Sequence, residues 1–306
     1  MKVRKFSAAK FAMVDLKGFD TQRVPVDDGT IFVRVGGAGP PLLLLHGFPQ
    51  THVCWARIAP NLAQEFTVVL ADLTGYGNSR GPVPAPDGSN YSKRVVAKQM
   101  VDCMRALGHD RFAVVGHDRG ARVAYRLALD HPSSVKRLAA LSILPTFAAW
   151  RRLADVEKAI NTYHWFLLAQ KPPIPNDVIL AAPDKMVRNT IASWTGSGTL
   201  AGFDEAELGA YAAALANPES VDAICAEYRA AWTTDRRLDE ADVEAARKIG
   251  CPTLLLWGAD EYDDSEMRPA WASLAPEATF VPLQCGHFVT EEATAQTLKA
   301  LLDFMR

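Results

Sequence analysis

The 306-residue sequence predicts an α/β fold: a mostly parallel sheet with helices on both faces and a helical cap inserted between two of its strands. Three observations carry this reading. Short, almost purely apolar runs recur along the chain, helical patterns separate them, and the stretch from about 147 to 238 has helical texture with no strand-like run. Apolar strands without polar alternation suit a parallel sheet buried on both faces, and their alternation with helical segments suits strand–helix–strand crossovers.

The strand-like runs are 31–35, 42–46, 67–71, 112–116, 138–144, 253–257 and 279–282. After 146 the texture changes: Trp150, Trp165, Trp194, Tyr211, Tyr228 and Trp232 sit among Ala-rich segments, and the strand grammar resumes at Thr253. That resumption favours one interrupted sheet over a separate helical domain. Residues 1–146 are read as the first part of the core, 147–238 as the cap, and 239–306 as the second part of the core.

Composition removes several function classes. The 33 basic and 35 acidic residues leave a formal charge of -2 with no long run of either sign, so the basic footprint of a nucleic-acid or membrane-surface binder is missing. No stretch of 18 consecutive apolar residues suggests a membrane span, and residues 1–15 mix basic and apolar positions without the apolar core of a signal peptide. Cys54, Cys103, Cys225, Cys251 and Cys285 are scattered, with no C-x-x-C pair, which suggests neither a disulfide framework nor a zinc site. A cytoplasmic protein without metal or organic cofactor is the expectation.

The chemistry starts at Gly116-His117-Asp118-Arg119-Gly120, between an apolar strand and a helical pattern at 122–129. Gly-x-nucleophile-x-Gly at a strand-to-helix junction makes a sharp turn that projects the central side chain above the sheet. Here that residue is Asp118. A carboxylate is already anionic at neutral pH and can displace a leaving group from saturated carbon, giving an ester that water can cleave. The residue type therefore points to carbon–halogen or epoxide opening. Leu45-His46-Gly47-Phe48-Pro49 ends another strand where a backbone N–H, here that of Phe48, joins the N–H of the residue after the nucleophile, Arg119, in an oxyanion hole. His287 follows the last strand, where a water-activating base belongs. His52, His109 and His131 have no such placement, and the Asp72–Ser79 loop reads as structural.

Over nearly its whole length the chain resembles the α/β-hydrolase family, and the aspartate elbow narrows this to the haloalkane dehalogenase and epoxide hydrolase branch. It is most similar to the fluoroacetate (haloacetate) dehalogenases through Gly116–Arg122, Ile143-Leu144-Pro145-Thr146 and Tyr163-His164-Trp165. That resemblance implies a carboxylate clamp of Arg119 and Arg122, a halide cradle of His164, Trp165 and Tyr228, a small haloacid substrate and a homodimer. Arg126 reads as a solvated charge, and Trp194, Trp232 and Tyr211 as packing. One position departs from the pattern: Ser142 stands where these dehalogenases carry the Asp that orients the base. Other branches place the acid after the next strand, three residues beyond a Gly, and Trp257-Gly258-Ala259-Asp260-Glu261 puts Glu261 in that register with Asp260 beside it. The expected reaction is hydrolysis of a haloacetate to glycolate and halide through an ester of Asp118. The rivals are an epoxide hydrolase and a slow or non-catalytic small-acid binder.

Overall fold

A computed structural model describes residues 16–306. Among the described residues eight strands form one sheet in the order β1-β2-β4-β3-β5-β6-β7-β8. They are β1 (Phe19–Val26), β2 (Gly29–Gly36), β3 (Pro41–Leu45), β4 (Thr67–Ala71), β5 (Phe112–His117), β6 (Val135–Leu141), β7 (Thr253–Gly258) and β8 (Thr279–Leu283). β2 runs antiparallel to β1 and β4, and all other neighbours are parallel. The central strands are buried on both faces: Leu42 to Leu45, Val114, Val115 and Leu254 to Trp257 are each at most 1% exposed.

Sequence patterning misses β1 and misplaces β6. β1 is an edge strand whose Asp20, Thr21, Gln22 and Arg23 are exposed, so it lacks a continuous apolar run. The apolar run at 138–144 overshoots because the strand ends at Leu141: Ser142 takes φ +53° and turns the chain out of the sheet, while Ile143 and Leu144 stay buried beyond it. Burial, not strand pairing, keeps those two residues apolar.

Between β6 and β7 the described chain is helical, from Thr146–Arg152 to Arg236–Glu244. Helix Pro218–Ala230 packs on helices Tyr163–Leu168 and Ile174–Ala181 at the centre of this insertion. Ion pairs join it to the core, one at half-buried Arg57 and the others at buried Arg126. Arg57 meets Glu207 at 2.9 Å, and Arg126 meets Asp239 at 2.8 Å and Asp242 at 2.6 Å. Arg126, expected to be solvated, is 1% exposed, because the cap's last helix closes over the helix that carries it. Removing one partner of such a buried pair costs about 3–5 kcal/mol. Among the described residues no helix is long and apolar enough to cross a membrane.

Candidate active site

β5 delivers Asp118 at a strained turn into helix Arg119–Asp130, with φ +45° and ψ −114°. A non-glycine residue in this region costs on the order of 1–3 kcal/mol and persists only where its surroundings enforce it. Two glycines provide that enforcement. A Cβ on Gly116 would lie 2.4 Å from the Gly120 carbonyl oxygen, and one on Gly120 would lie 2.3 Å from that of Leu45. The helix can therefore start directly against β3 and β5 only with both side chains absent.

The β3 turn is fixed just as locally. The Leu73 N–H donates to His46 Nε2 at 3.0 Å, and His46 Nδ1 donates to the Gly47 carbonyl at 2.9 Å. This holds the Phe48 N–H against Asp118 Oδ1, to which it donates at 2.9 Å. Arg119 opens its helix, so its N–H has no partner within the helix. Burial pushes the Asp118 carboxyl up, but His287, Arg119, His117 and Arg122 pull the other way and hold it down to about 2. Asp118 is ionised throughout the neutral range.

His287 follows β8, and its main-chain N–H donates to the Trp194 carbonyl at 2.9 Å. Its Nδ1 lies 2.9 Å from Glu261 Oε2, and its buried Nε2 has no hydrogen-bond partner. Of the two expected acids, Glu261 meets the imidazole; Asp260 is exposed and makes no side-chain hydrogen bond to the ring. Ser142 is fully buried and its Oγ has no partner. Burial pushes the His287 imidazolium down, yet the charge and hydrogen bond of Glu261, followed by Asp118, raise it to about 9. His117 sits against it, ring centroids 4.7 Å apart, and donates Nε2–H to the His287 carbonyl at 2.9 Å.

A cavity of about 600 Å³ separates the cap from the elbow, with Asp118, Arg122, His164, Trp165, Glu261 and His287 in its lining. The cap aromatics gather around the arginines: the ring of Tyr228 is 6.0 Å from His164 and 6.2 Å from Trp165. Arg122 Cζ lies 4.7 Å from the Trp165 ring centroid, and Arg119 Cζ lies 4.1 Å from that of Tyr228. Burial above all drives His164 down to about 3, so its imidazole is neutral at pH 7 and carries one N–H. Among the described residues, buried atoms without a partner include Arg119 Nη1, Arg122 Nε and His164 Nδ1. Groups of this kind ordinarily find a partner, and a bound anion is one that suits both guanidiniums.

Three site residues escape sequence reasoning. Trp194, expected to be packing only, lines the cavity, with its ring centroid 4.6 Å from His164 and 5.4 Å from His287. Glu292 accepts from the N–H groups of Gly196 at 2.7 Å, Gly286 at 3.1 Å and Phe288 at 3.0 Å, bracing the loop that carries His287. Glu227 pairs with Arg119. No local motif announces the first or third; Glu292 lies five residues beyond His287, near enough to suggest a capping role.

An ionised carboxylate held by a backbone N–H and a carboxylate-paired histidine, both at the carboxyl ends of parallel strands, form the arrangement of a hydrolase of the α/β class. The chain belongs to the α/β-hydrolase family: the family model described as alpha/beta hydrolase fold matches residues 40–294. Within it, the chain falls in the branch that contains a fluoroacetate dehalogenase from Burkholderia sp, to which it is 43% identical over 94% of this chain and 94% of that protein. It is 29% identical to a soluble epoxide hydrolase from Corynebacterium sp. over 88% of this chain and 91% of that one. An α/β hydrolase from Nostoc sp PCC 7120 superposes with a TM-score of 0.90 at 43% identity, covering 95% of this chain and 99% of the other.

Proposed function

We propose that the protein hydrolyses carbon–halide bonds, and that its substrates are haloacetates converted to glycolate and halide. The observation that carries this reading is an ionised Asp118 beside two buried guanidiniums, facing a cavity that also holds a carboxylate-paired His287. A neutral haloalkane would leave Arg119 Nη1 and Arg122 Nε without partners, whereas a haloacid carboxylate supplies acceptors for both. Holding the acid there sets its halogen-bearing carbon toward Asp118, and orientation of this kind contributes several kcal/mol to catalysis.

In the first step Asp118 Oδ2 attacks the carbon, the carbon–halogen bond breaks with its electron pair leaving on the halide, and an ester of Asp118 forms. Oδ1, already on the Phe48 N–H, becomes the ester carbonyl oxygen. The departing halide meets donors on His164, Trp165 and Tyr228, each hydrogen bond to the anion contributing roughly 1.5–3 kcal/mol. In the second step His287 Nε2 takes a proton from water, and the resulting hydroxide adds to the ester carbonyl. The N–H groups of Phe48 and Arg119 hold the oxyanion until it collapses: the bond to the glycolate oxygen breaks, that oxygen takes the proton from His287 Nε2, and the Asp118 carboxylic acid releases its proton to water, restoring the carboxylate. The base must be neutral for this step, although His287 is raised to about 9 in the free protein. Esterification helps: it removes the negative charge of Asp118, one of the groups that raise the imidazolium.

Two substitutions test the assignments. Arg122→Ala is expected to raise KM for chloroacetate roughly 10- to 100-fold, on the scale of a lost charged hydrogen bond, while leaving a neutral haloalkane unaffected. Equal losses on both would contradict the clamp. Trp165→Phe keeps an aromatic ring, smaller than the indole, and removes the N–H, so fluoroacetate turnover should fall more than chloroacetate turnover, because fluoride depends more on hydrogen bonding as it leaves. Equal losses would remove Trp165 from the cradle. The function itself is tested by halide release from fluoroacetate, chloroacetate and a neutral haloalkane beside diol formation from an epoxide. Release from the acids is the expected result; diol formation alone would make the protein an epoxide hydrolase, and no product from any substrate would make it a binder.

A further inference from the structure

We propose that Glu227 is a positioning residue that spends one edge of the Arg119 guanidinium and so limits how tightly the site holds a carboxylate. The inference rests on the haloacid reading and deepens it. Arg119 is fully buried, and its Nε donates to both Glu227 oxygens at 2.9 Å, with Nη2 also on Oε1. Of its three nitrogens, Nη1 is the one without a hydrogen-bond partner among the described residues. Arg122 differs: its Nη1 donates to two neutral oxygens, the Leu144 carbonyl at 2.9 Å and Thr146 Oγ1 at 3.3 Å, and among the described residues no carboxylate pairs with it. The two arginines are thus unequal. One is locked in place with its charge already balanced, and the other brings an unbalanced charge.

Glu227 is itself 3% exposed and held from three sides: by Arg119, by the Lys93 amino group, which burial and the Arg119 charge push toward its neutral form, and by the Tyr76 hydroxyl, which donates to Oε2 at 3.3 Å. It directly precedes Tyr228 on helix Pro218–Ala230, so the same turn of the cap that braces Arg119 from one side lays an aromatic ring over it. Such a cluster fixes the direction of Nη1. It also places a second negative charge behind the clamp, where it repels any bound carboxylate through a poorly screening interior. Substrate and product both carry a carboxylate. A pair of unbalanced arginines would hold the hydroxy acid after turnover; Glu227 weakens that grip while keeping the geometry.

The test is Glu227→Gln, which preserves shape and removes the charge. Glycolate binding measured by calorimetry should tighten about tenfold, KM for chloroacetate should fall by a similar factor, and binding of the uncharged glycolamide should stay as in the native protein. Glu227→Asp, which retains the charge, should behave like the native protein toward both ligands. Should Glu227→Gln fail to fold because Lys93 loses its carboxylate, Glu227→Gln combined with Lys93→Met removes that burden and should show the same tightening. Unchanged or weaker glycolate binding in either folded variant, or equal tightening of glycolate and glycolamide, would overturn the proposal. These binding readouts do not require turnover: a native protein that releases no halide from chloroacetate rejects the dehalogenase reading and leaves the glycolate comparison to decide the role of Glu227.

Discussion

Asp118→Asn abolishes halide release from haloacetates, with a loss of roughly 10⁴-fold or more, the scale seen when an attacking group is removed from an intact site. The amide is isosteric, and its carbonyl oxygen can still accept from the Phe48 N–H, which now meets Oδ1 at 2.9 Å. Asn also tolerates positive φ better than most residues, so the turn at φ +45° survives. What disappears is the permanent charge, which four neighbouring residues hold in place against burial. Thermal unfolding and calorimetric binding of glycolate should therefore remain, and activity should not. Retention of even a hundredth of native turnover, in protein shown by mass to carry Asn at this position, would mean that something other than Asp118 attacks carbon.

Glu261→Gln should cost about 10²- to 10⁴-fold in kcat, by analogy with other orienting acids of a catalytic histidine. Glu261 Oε2 lies 2.9 Å from His287 Nδ1 and is the chief group that raises the imidazolium toward about 9. The sign of the pH effect follows. The base works only when neutral, so activity falls as pH drops through its pKa; removing Glu261 lowers that pKa, and the variant's acidic limb should move to lower pH even as its plateau falls. A residue that merely packed against the ring would lower the plateau without moving the limb. Ser142→Asp placed on the Glu261→Gln background should recover part of the loss. Its parent side chain is buried without a partner at φ +53°, a conformation Asp accepts more readily than most residues. Recovery would show that the fold has two places from which an acid can serve one histidine. If Glu261→Gln turns over at the native rate with an unshifted limb, the acid is elsewhere.

The parts of this molecule that were legible in the sequence are those where the backbone dictates residue type. The buried central strands need uninterrupted apolar runs, and the elbow needs glycines at 116 and 120 because other main-chain atoms occupy the space of their missing side chains. The register other branches use for the acid offered Glu261, with Asp260 beside it, and Glu261 is the one that meets His287. What escaped depends on approach in three dimensions. Glu227 lies 108 positions from Arg119, and nothing in the Ala-rich text around it distinguishes it from a surface acid. Arg126 looked solvated for the same reason, since the carboxylates that bury it come from the last helix of the insertion, Asp239 lying 113 positions away. The edge strand β1 was hidden because four consecutive residues, and so positions on both its faces, meet water.

The most direct measurement is the intact mass of a His287→Gln variant after incubation with chloroacetate. Without a base at the position whose Nε2 now has no protein partner, the first step should proceed and the second should stall. The predicted result is one chloride released per chain and a mass gain of one carboxymethyl group, mapped by peptide digestion to Asp118. Continued chloride release from a chain that stays unmodified would contradict it, because water would then be attacking carbon without any ester of the protein.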